Sequence, residues 1–246
     1  MPTNAAKGKI SRQSLGKQAV DHLRGQILSG HLASGERLVE TAIAEEVGLS
    51  RSTIRGALAE LAHEGLVTQV AYTKWMVSEL TAEAAWDLYT LRSALEGLAV
   101  RLAASQVTAE HIERIRKAQR NLEKAARKDD KAALAEADFA LHELLIELSG
   151  NAQLMKHYRL IEQQVRLLIA SSNSLIAAAA DVVAQHKPIV DAICAGDEDA
   201  AEALMREHSL GEGRRLVDHI RATTSDGHPP HPTEEAVTRS RVTNGT

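Results

Sequence analysis

Gly48-Leu49-Ser50-Arg51-Ser52-Thr53-Ile54-Arg55-Gly56-Ala57-Leu58 is the stretch that decides the fold. Gly48-Leu49-Ser50 predicts a tight turn. Ser50 is placed to cap a helix running to about Glu64, with Ile54, Leu58 and Leu61 inward and Gly65 at its C′ position. A shorter helix, Glu40 to Val47, precedes the turn and buries Ile43 and Val47. Two helices joined by a short turn that contains glycine form a helix-turn-helix. Downstream, Leu66 to Val70 and Trp75 to Val77 carry β-type residues around the polar connection Ala71-Tyr72-Thr73-Lys74, which predicts a two-stranded wing. Upstream, Val20, Leu23, Ile27 and Leu28 recur at helical spacing as far as Gly30.

In a helix-turn-helix the first turn of the second helix meets base edges in the major groove, where an arginine can bond guanine bidentately. Arg51 and Arg55 occupy that turn, while Ser50, Ser52 and Thr53, with the free N–H groups beside them, suit phosphate. Taken alone, two arginines at a helix end read equally well as a solvated surface. The adjoining wing turns the reading towards double-stranded DNA.

Composition agrees with a mainly helical chain. Aromatic residues make up only 2% of the 246, so the core must come from small and aliphatic side chains. The single cysteine, Cys194, allows no internal disulfide, no signal-peptide core follows Met1, and no apolar run reaches the roughly 20 residues that span a bilayer. These features predict a cytoplasmic protein with no membrane partner. The net charge of -4 hides an asymmetry. The first 80 residues hold nine Lys and Arg against eight Asp and Glu, and the remainder 20 against 25, which by itself is weak support for DNA.

Beyond Thr81, itself a candidate N-cap, the glycine-broken texture gives way to about six long helices, near 82–104, 109–128, 130–149, 151–176, 179–195 and 198–221. An antiparallel bundle follows from that pattern. The expected organisation is a flexible arm over 1–13, a winged helix-turn-helix over 14–80, a helical effector-binding and dimerisation domain over 81–222, and a disordered tail over 223–246. His228 and His231 lie in that tail, flanked by prolines, and are set aside as ligands.

Asp138 and His142 stand four apart and leave one helix face together. The helices carrying His186 and His208 turn at Ala195-Gly196-Asp197; His186 lies ten residues before Gly196 and His208 twelve after it. At about 1.5 Å per residue, the two imidazoles come within roughly one turn of the same height. Spacing alone leaves two readings open. One is a divalent-metal set of one carboxylate and three imidazoles, suited to Zn²⁺ first and to Ni²⁺, Mn²⁺ or Fe²⁺ besides; the other is unrelated histidines in a chain that has 11.

Gly35-Glu36-Arg37-Leu38-Val39-Glu40, then Ala44 through Leu58, then Leu61 and Glu64-Gly65-Leu66-Val67, together resemble the signature of the GntR family of bacterial transcription regulators. Two positions depart from it: Gly56 stands where the family usually has Glu, and Lys74 where a wing-tip glycine is usual. The second departure favours a phosphate contact over entry into the minor groove.

Leu91-Arg92-Ser93-Ala94-Leu95-Glu96, Asp138-Phe139-Ala140-Leu141-His142, His186-Lys187-Pro188-Ile189 and Met205-Arg206-Glu207-His208 resemble the effector domain of the FadR branch, and six helices its shorter, VanR-like subgroup. The resemblance implies a metal held by Asp138, His142, His186 and His208, a small carboxylate effector completing its coordination, and repression as the usual outcome. Arg92 and Arg166 are candidate effector contacts, against an i,i+4 bridge from Arg92 to Glu96 and a solvated Arg166. A homodimer on a palindromic operator is expected, because one helix-turn-helix buries too little surface for tight binding. The rival class is a metal-dependent hydrolase or lyase, which would need a separate general base that the sequence does not place.

Overall fold

The computed structural model describes residues 14–70, 74–128 and 130–225. The expected arm over 1–13, the connection at 71–73, and His228 and His231 lie outside them.

Three helices and a small sheet form the N-terminal part. α1 (Leu15–Leu28) starts at Ser14, whose hydroxyl accepts from the Lys17 N–H, and buries Ala19, Val20, Leu23 and Ile27 one turn apart. α2 (Glu40–Val47) ends at Gly48, whose φ of 69° is the left-handed conformation glycine adopts without a Cβ penalty. α3 (Arg51–His63) is capped by Ser50, which accepts from the Thr53 N–H, and buries Ile54, Ala57, Leu58 and Leu61.

The wing differs from the two strands expected. β2 (Val67–Val70) and β3 (Lys74–Val77) pair antiparallel, and β1 (Arg37–Leu38) joins the other edge of β3, with Leu38 opposite Trp75. Two residues show no alternation, so β1 leaves no periodic trace in the sequence. Leu38, Leu66, Trp75 and Val77 carry the sheet onto the helices' core.

Six helices follow: α4 (Ala82–Ser105), α5 (Ala109–Ala126), α6 (Lys131–Leu148), α7 (Ala152–Ser174), α8 (Ala179–Ala195) and α9 (Glu198–Ser225). Thr81, Thr108, Asp130 and Asn151 cap four of them through side-chain oxygens. α9 runs past 222, where the tail was expected to begin. A core of Val100, Ile115, Leu122, Leu141, Leu145, Ile189, Val190, Ile193 and Met205 joins the bundle. No described helix is long and apolar enough to cross a membrane.

α4 and α9 cross closely because Gly213 has no side chain: a Cβ there would lie 2.8 Å from both Cβ and Cγ of Tyr89. Tyr89 is fully buried and its hydroxyl donates to Ser172 Oγ at 2.9 Å, so it cannot swing clear. Gly213→Ala is therefore expected to destabilise the fold by about 1–3 kcal/mol through overpacking, read as a lowered urea midpoint. An unchanged midpoint would contradict this packing.

Candidate metal centre and nucleic-acid interface

The bundle brings Asp138 and His142 of α6 together with His186 of α8 and His208 of α9. The three histidines offer nitrogens within 4.8 Å of one another, and Asp138, His142 and His186 are buried while His208 is half-buried. Asp138 Oδ1 lies 3.0 Å from His186 Nε2 and 3.4 Å from His142 Nε2, and these two nitrogens are 3.1 Å apart.

Partners on the far sides of the rings decide what those atoms present. His186 Nδ1 stands 2.7 Å from the Val182 carbonyl oxygen, which can only accept, so Nδ1 carries hydrogen and Nε2 of the neutral ring turns a lone pair inward. His142 Nδ1 lies 3.0 Å from Glu96 Oε2, while its Nε2 accepts from Arg92 Nη2 at 2.9 Å. Two imidazole lone pairs and a carboxylate oxygen thus converge. Asp138 Oδ1 is buried and has no hydrogen-bond donor. Such a cluster calls for a cation, and the Arg92 guanidinium already meets one of the lone pairs a metal ion would take. The donor set fits a divalent metal.

The surroundings tune the cluster. Burial works against a charged His142, but Glu96 outweighs it and raises the ring's basicity, as a carboxylate behind a ligating imidazole does. His208 is pushed well below the ordinary histidine value, first by the groups packed around its ring and then by His186 and His142, and stays neutral and able to ligate. Burial would raise Asp138, yet positive charge on the facing His186 and His142 rings, whenever they hold a proton, draws it well below the usual carboxylate range. Its second oxygen accepts from Asn173 Nδ2 of α7 at 2.8 Å.

Arg92 makes the i,i+4 bridge to Glu96 and also faces the histidine cluster. Its Nε donates to Glu96 Oε1 at 2.8 Å, making the i,i+4 bridge, while the same guanidinium reaches the histidines and leaves Nη1 buried without a partner. Arg166 is not brought to the cluster. It pairs with Glu136 and, at 3.5 Å, with Glu162, and its guanidinium carbon sits 3.8 Å from the Phe139 ring centre. Two residues have roles at the cluster that the sequence did not reveal. Glu96 also accepts from Tyr158 and Ser209 hydroxyls and so organises the buried network, and Asn173 holds Asp138.

At the other end of the molecule Ser50 Oγ lies 2.8 Å from Ser52 Oγ and from Thr53 Oγ1, an exposed hydroxyl cluster on the first turn of α3. Arg51 and Arg55 project from the same turn, 64% and 60% exposed, and Lys74 is exposed at the start of β3. Glu40, at the first position of α2, binds Arg55 through both oxygens at 2.8 and 2.9 Å and accepts from Trp75 Nε1 at 3.0 Å. The sequence did not single out Glu40.

Comparison with known proteins agrees with this geometry. Residues 15–71 match the model of bacterial regulatory proteins of the gntR family, and residues 87–211 match the FCD domain. The chain is 30% identical over 205 residues to the probable D-xylose utilization operon transcriptional repressor of Paenarthrobacter nicotinovorans, covering 83% of this chain and 90% of that one. It is 26% identical over 214 residues to the HTH-type transcriptional regulator YdhC of Bacillus subtilis, covering 85% and 92%. Escherichia coli McbR/YncC shares the fold with a TM-score of 0.70 at 19% identity, over 85% of this chain and 99% of that one. With a helix-turn-helix bearing two exposed arginines ahead of a helical FCD domain, the chain belongs to the GntR family of bacterial transcription regulators.

Proposed function

We propose that this protein is a cytoplasmic, homodimeric repressor whose affinity for a palindromic operator is set by a small carboxylate bound at a metal ion held by Asp138, His142, His186 and His208. The observation that carries the reading is the buried convergence of imidazole lone pairs and a carboxylate oxygen beside an unpartnered guanidinium N–H of Arg92. Zn²⁺ comes first for this nitrogen-rich set, with Ni²⁺, Mn²⁺ or Fe²⁺ also suited. When bound, the ion supplies a Lewis acid for a carboxylate oxygen, and Arg92 Nη1 is placed to donate to the same anion. The repressor among the relatives supports the sign of regulation. The sugar in its name is not carried over, because the Arg92 guanidinium and a bound metal ion would select an anion. The hydrolase or lyase alternative finds no support in Glu96, the other carboxylate at the cluster, which is engaged by Arg92, Tyr158 and Ser209 and is held ionised against burial chiefly by Arg92.

α7 supports the coupling between the two sites. Asn173 on this helix holds the Asp138 ligand, Leu167 packs on the N-terminal core, and Gln164 lies over Gly65 at the end of α3. An effector that draws Asp138 away from Asn173 therefore biases a helix on which the DNA-binding part rests. Asn173→Ala is expected to keep operator affinity within about twofold while losing most of the effector response, since it frees the Asp138 ligand from α7 and leaves the DNA-binding surface intact. Fluorescence anisotropy on labelled operator measures both, and an undiminished response would contradict this coupling.

Leu91 and Leu98 are exposed seven residues apart on one face of α4, which supports a helix-mediated dimer. Light scattering at micromolar concentration is expected to give twice the chain mass. A monomer with and without DNA would contradict it.

A further inference from the structure

Both helices of the helix-turn-helix and the wing meet at one carboxylate. Glu40 Oε1 accepts from Arg55 Nε–H at 2.9 Å, Glu40 Oε2 accepts from Arg55 Nη2–H at 2.8 Å, and Oε1 also accepts from the Trp75 indole. Trp75 is buried in the N-terminal core, so the carboxylate is anchored on β3, whereas Arg55 stands out from the surface. Arg51 lies 4.0 Å away, beyond hydrogen-bond reach, so the fork is selective for Arg55. The Arg55 hydrogen bonds, reinforced by that of Trp75, hold the Glu40 carboxyl down at about 2, and the pair stays ionised at any ordinary pH.

The edge used by this pair decides its role. A guanidinium bound side-on through Nε–H and one Nη2–H keeps its end-on edge, Nη1–H with the outer Nη2–H, directed away from the carboxylate. That edge matches the O6 and N7 acceptors of guanine. A latch that withheld the arginine from DNA would cover the end-on edge, and Glu40 leaves it open. An unheld arginine also loses rotamer freedom when it binds; held by Glu40, Arg55 has lost it beforehand.

We infer that Glu40, locked by Trp75, is a positioning residue for base readout, fixing the Arg55 guanidinium so that its end-on N–H pair meets one guanine of the operator. The inference rests on the DNA-binding reading above and adds to it the residue that orients the reader.

The test uses the full-length protein and an operator selected from random duplex by the wild type. Anisotropy titrations compare wild type, Glu40→Gln, Arg55→Ala and the double variant on that operator, on its single-base variants and on unrelated duplex. Arg55→Ala identifies the base pair that Arg55 reads. Glu40→Gln is expected to weaken operator binding at least about fivefold, the low end for one bidentate contact, and to lose discrimination at that same base pair. Unrelated duplex should be bound no more weakly, and Glu40→Gln should add nothing in the Arg55→Ala background. Trp75→Phe keeps most of the ring volume and removes the indole donor; it should shift discrimination at the same position to a smaller extent, which guards against a Glu40 variant that fails to fold. Tighter operator binding by Glu40→Gln, unchanged discrimination, or additive effects in the double variant would overturn the inference while leaving DNA binding intact. A wild type that selects no sequence would overturn the DNA-binding reading and this inference with it.

Discussion

Purified without a chelator or a histidine tag, the protein is expected to carry one divalent ion per chain, and His186→Ala combined with His208→Ala to carry none. The double variant removes the ligands from α8 and α9 and leaves Asp138 and His142, one face of a single helix, which cannot enclose an ion. Because binding to the folded state alone stabilises by RT ln(1 + [L]/Kd), about 2.7 kcal/mol at a hundredfold excess over Kd, a chelator should lower the wild-type melting temperature and leave that of the double variant unchanged. Imidazole ligates only when neutral, and Glu96 raises His142 above the ordinary histidine value of about 6.5, so metal uptake should already decline as pH falls towards that value and continue to fall below it. Metal content by mass spectrometry reads the result. One ion per chain retained in the double variant would place the metal elsewhere.

Arg51→Ala is expected to weaken specific operator binding by about 1–3 kcal/mol, roughly five- to hundredfold, and to relax selection at one base pair. Arg51 is largely exposed on the first turn of α3 with no anion nearer than 4.0 Å among its ion pairs, so its guanidinium is available to a base edge. Lys74→Ala should behave differently. Lys74 is exposed at the wing and expected to neutralise a phosphate, so its loss should weaken all sequences alike and reduce the salt slope by about one. Wild-type operator affinity in Arg51→Ala would remove α3 from the recognition role.

The parts of the fold written in long periodic segments were legible in the sequence. The helices of the bundle announced themselves by apolar spacing and by the cap at Thr81, and each lies within a few residues of its expected bounds. What escaped depended on tertiary placement. β1 is two residues long and exists because β3 has a free edge beside it. Arg166 looked like an effector ligand because its helix borders the bundle, but a helix has several faces, and this side chain follows Glu162 and Phe139.

The candidate site divides in the same way. Asp138 and His142 share a helix face, and His186 and His208 straddle a hairpin turn, so residue counting brings each pair together, while the family resemblance joined the two pairs; the shared turn of Arg51 and Arg55 was equally local. Glu96 could be seen only as a helical neighbour of Arg92. Its contacts with His142, Tyr158 and Ser209 span 46, 62 and 113 residues and no local pattern encodes them. Glu40 lies 15 residues before Arg55 and 35 before Trp75, and the fold alone joins the three.

The central claim is that the buried Asp and His cluster governs the DNA-binding surface. It is tested most directly by titrating metal-loaded wild type and the His186→Ala, His208→Ala variant onto labelled operator with and without each of a panel of small carboxylates. At least one carboxylate is expected to lower wild-type operator affinity by about five- to 150-fold, the usual range of an allosteric coupling, and to leave the variant's affinity unmoved. Equal responses of the two proteins to an active carboxylate would contradict it.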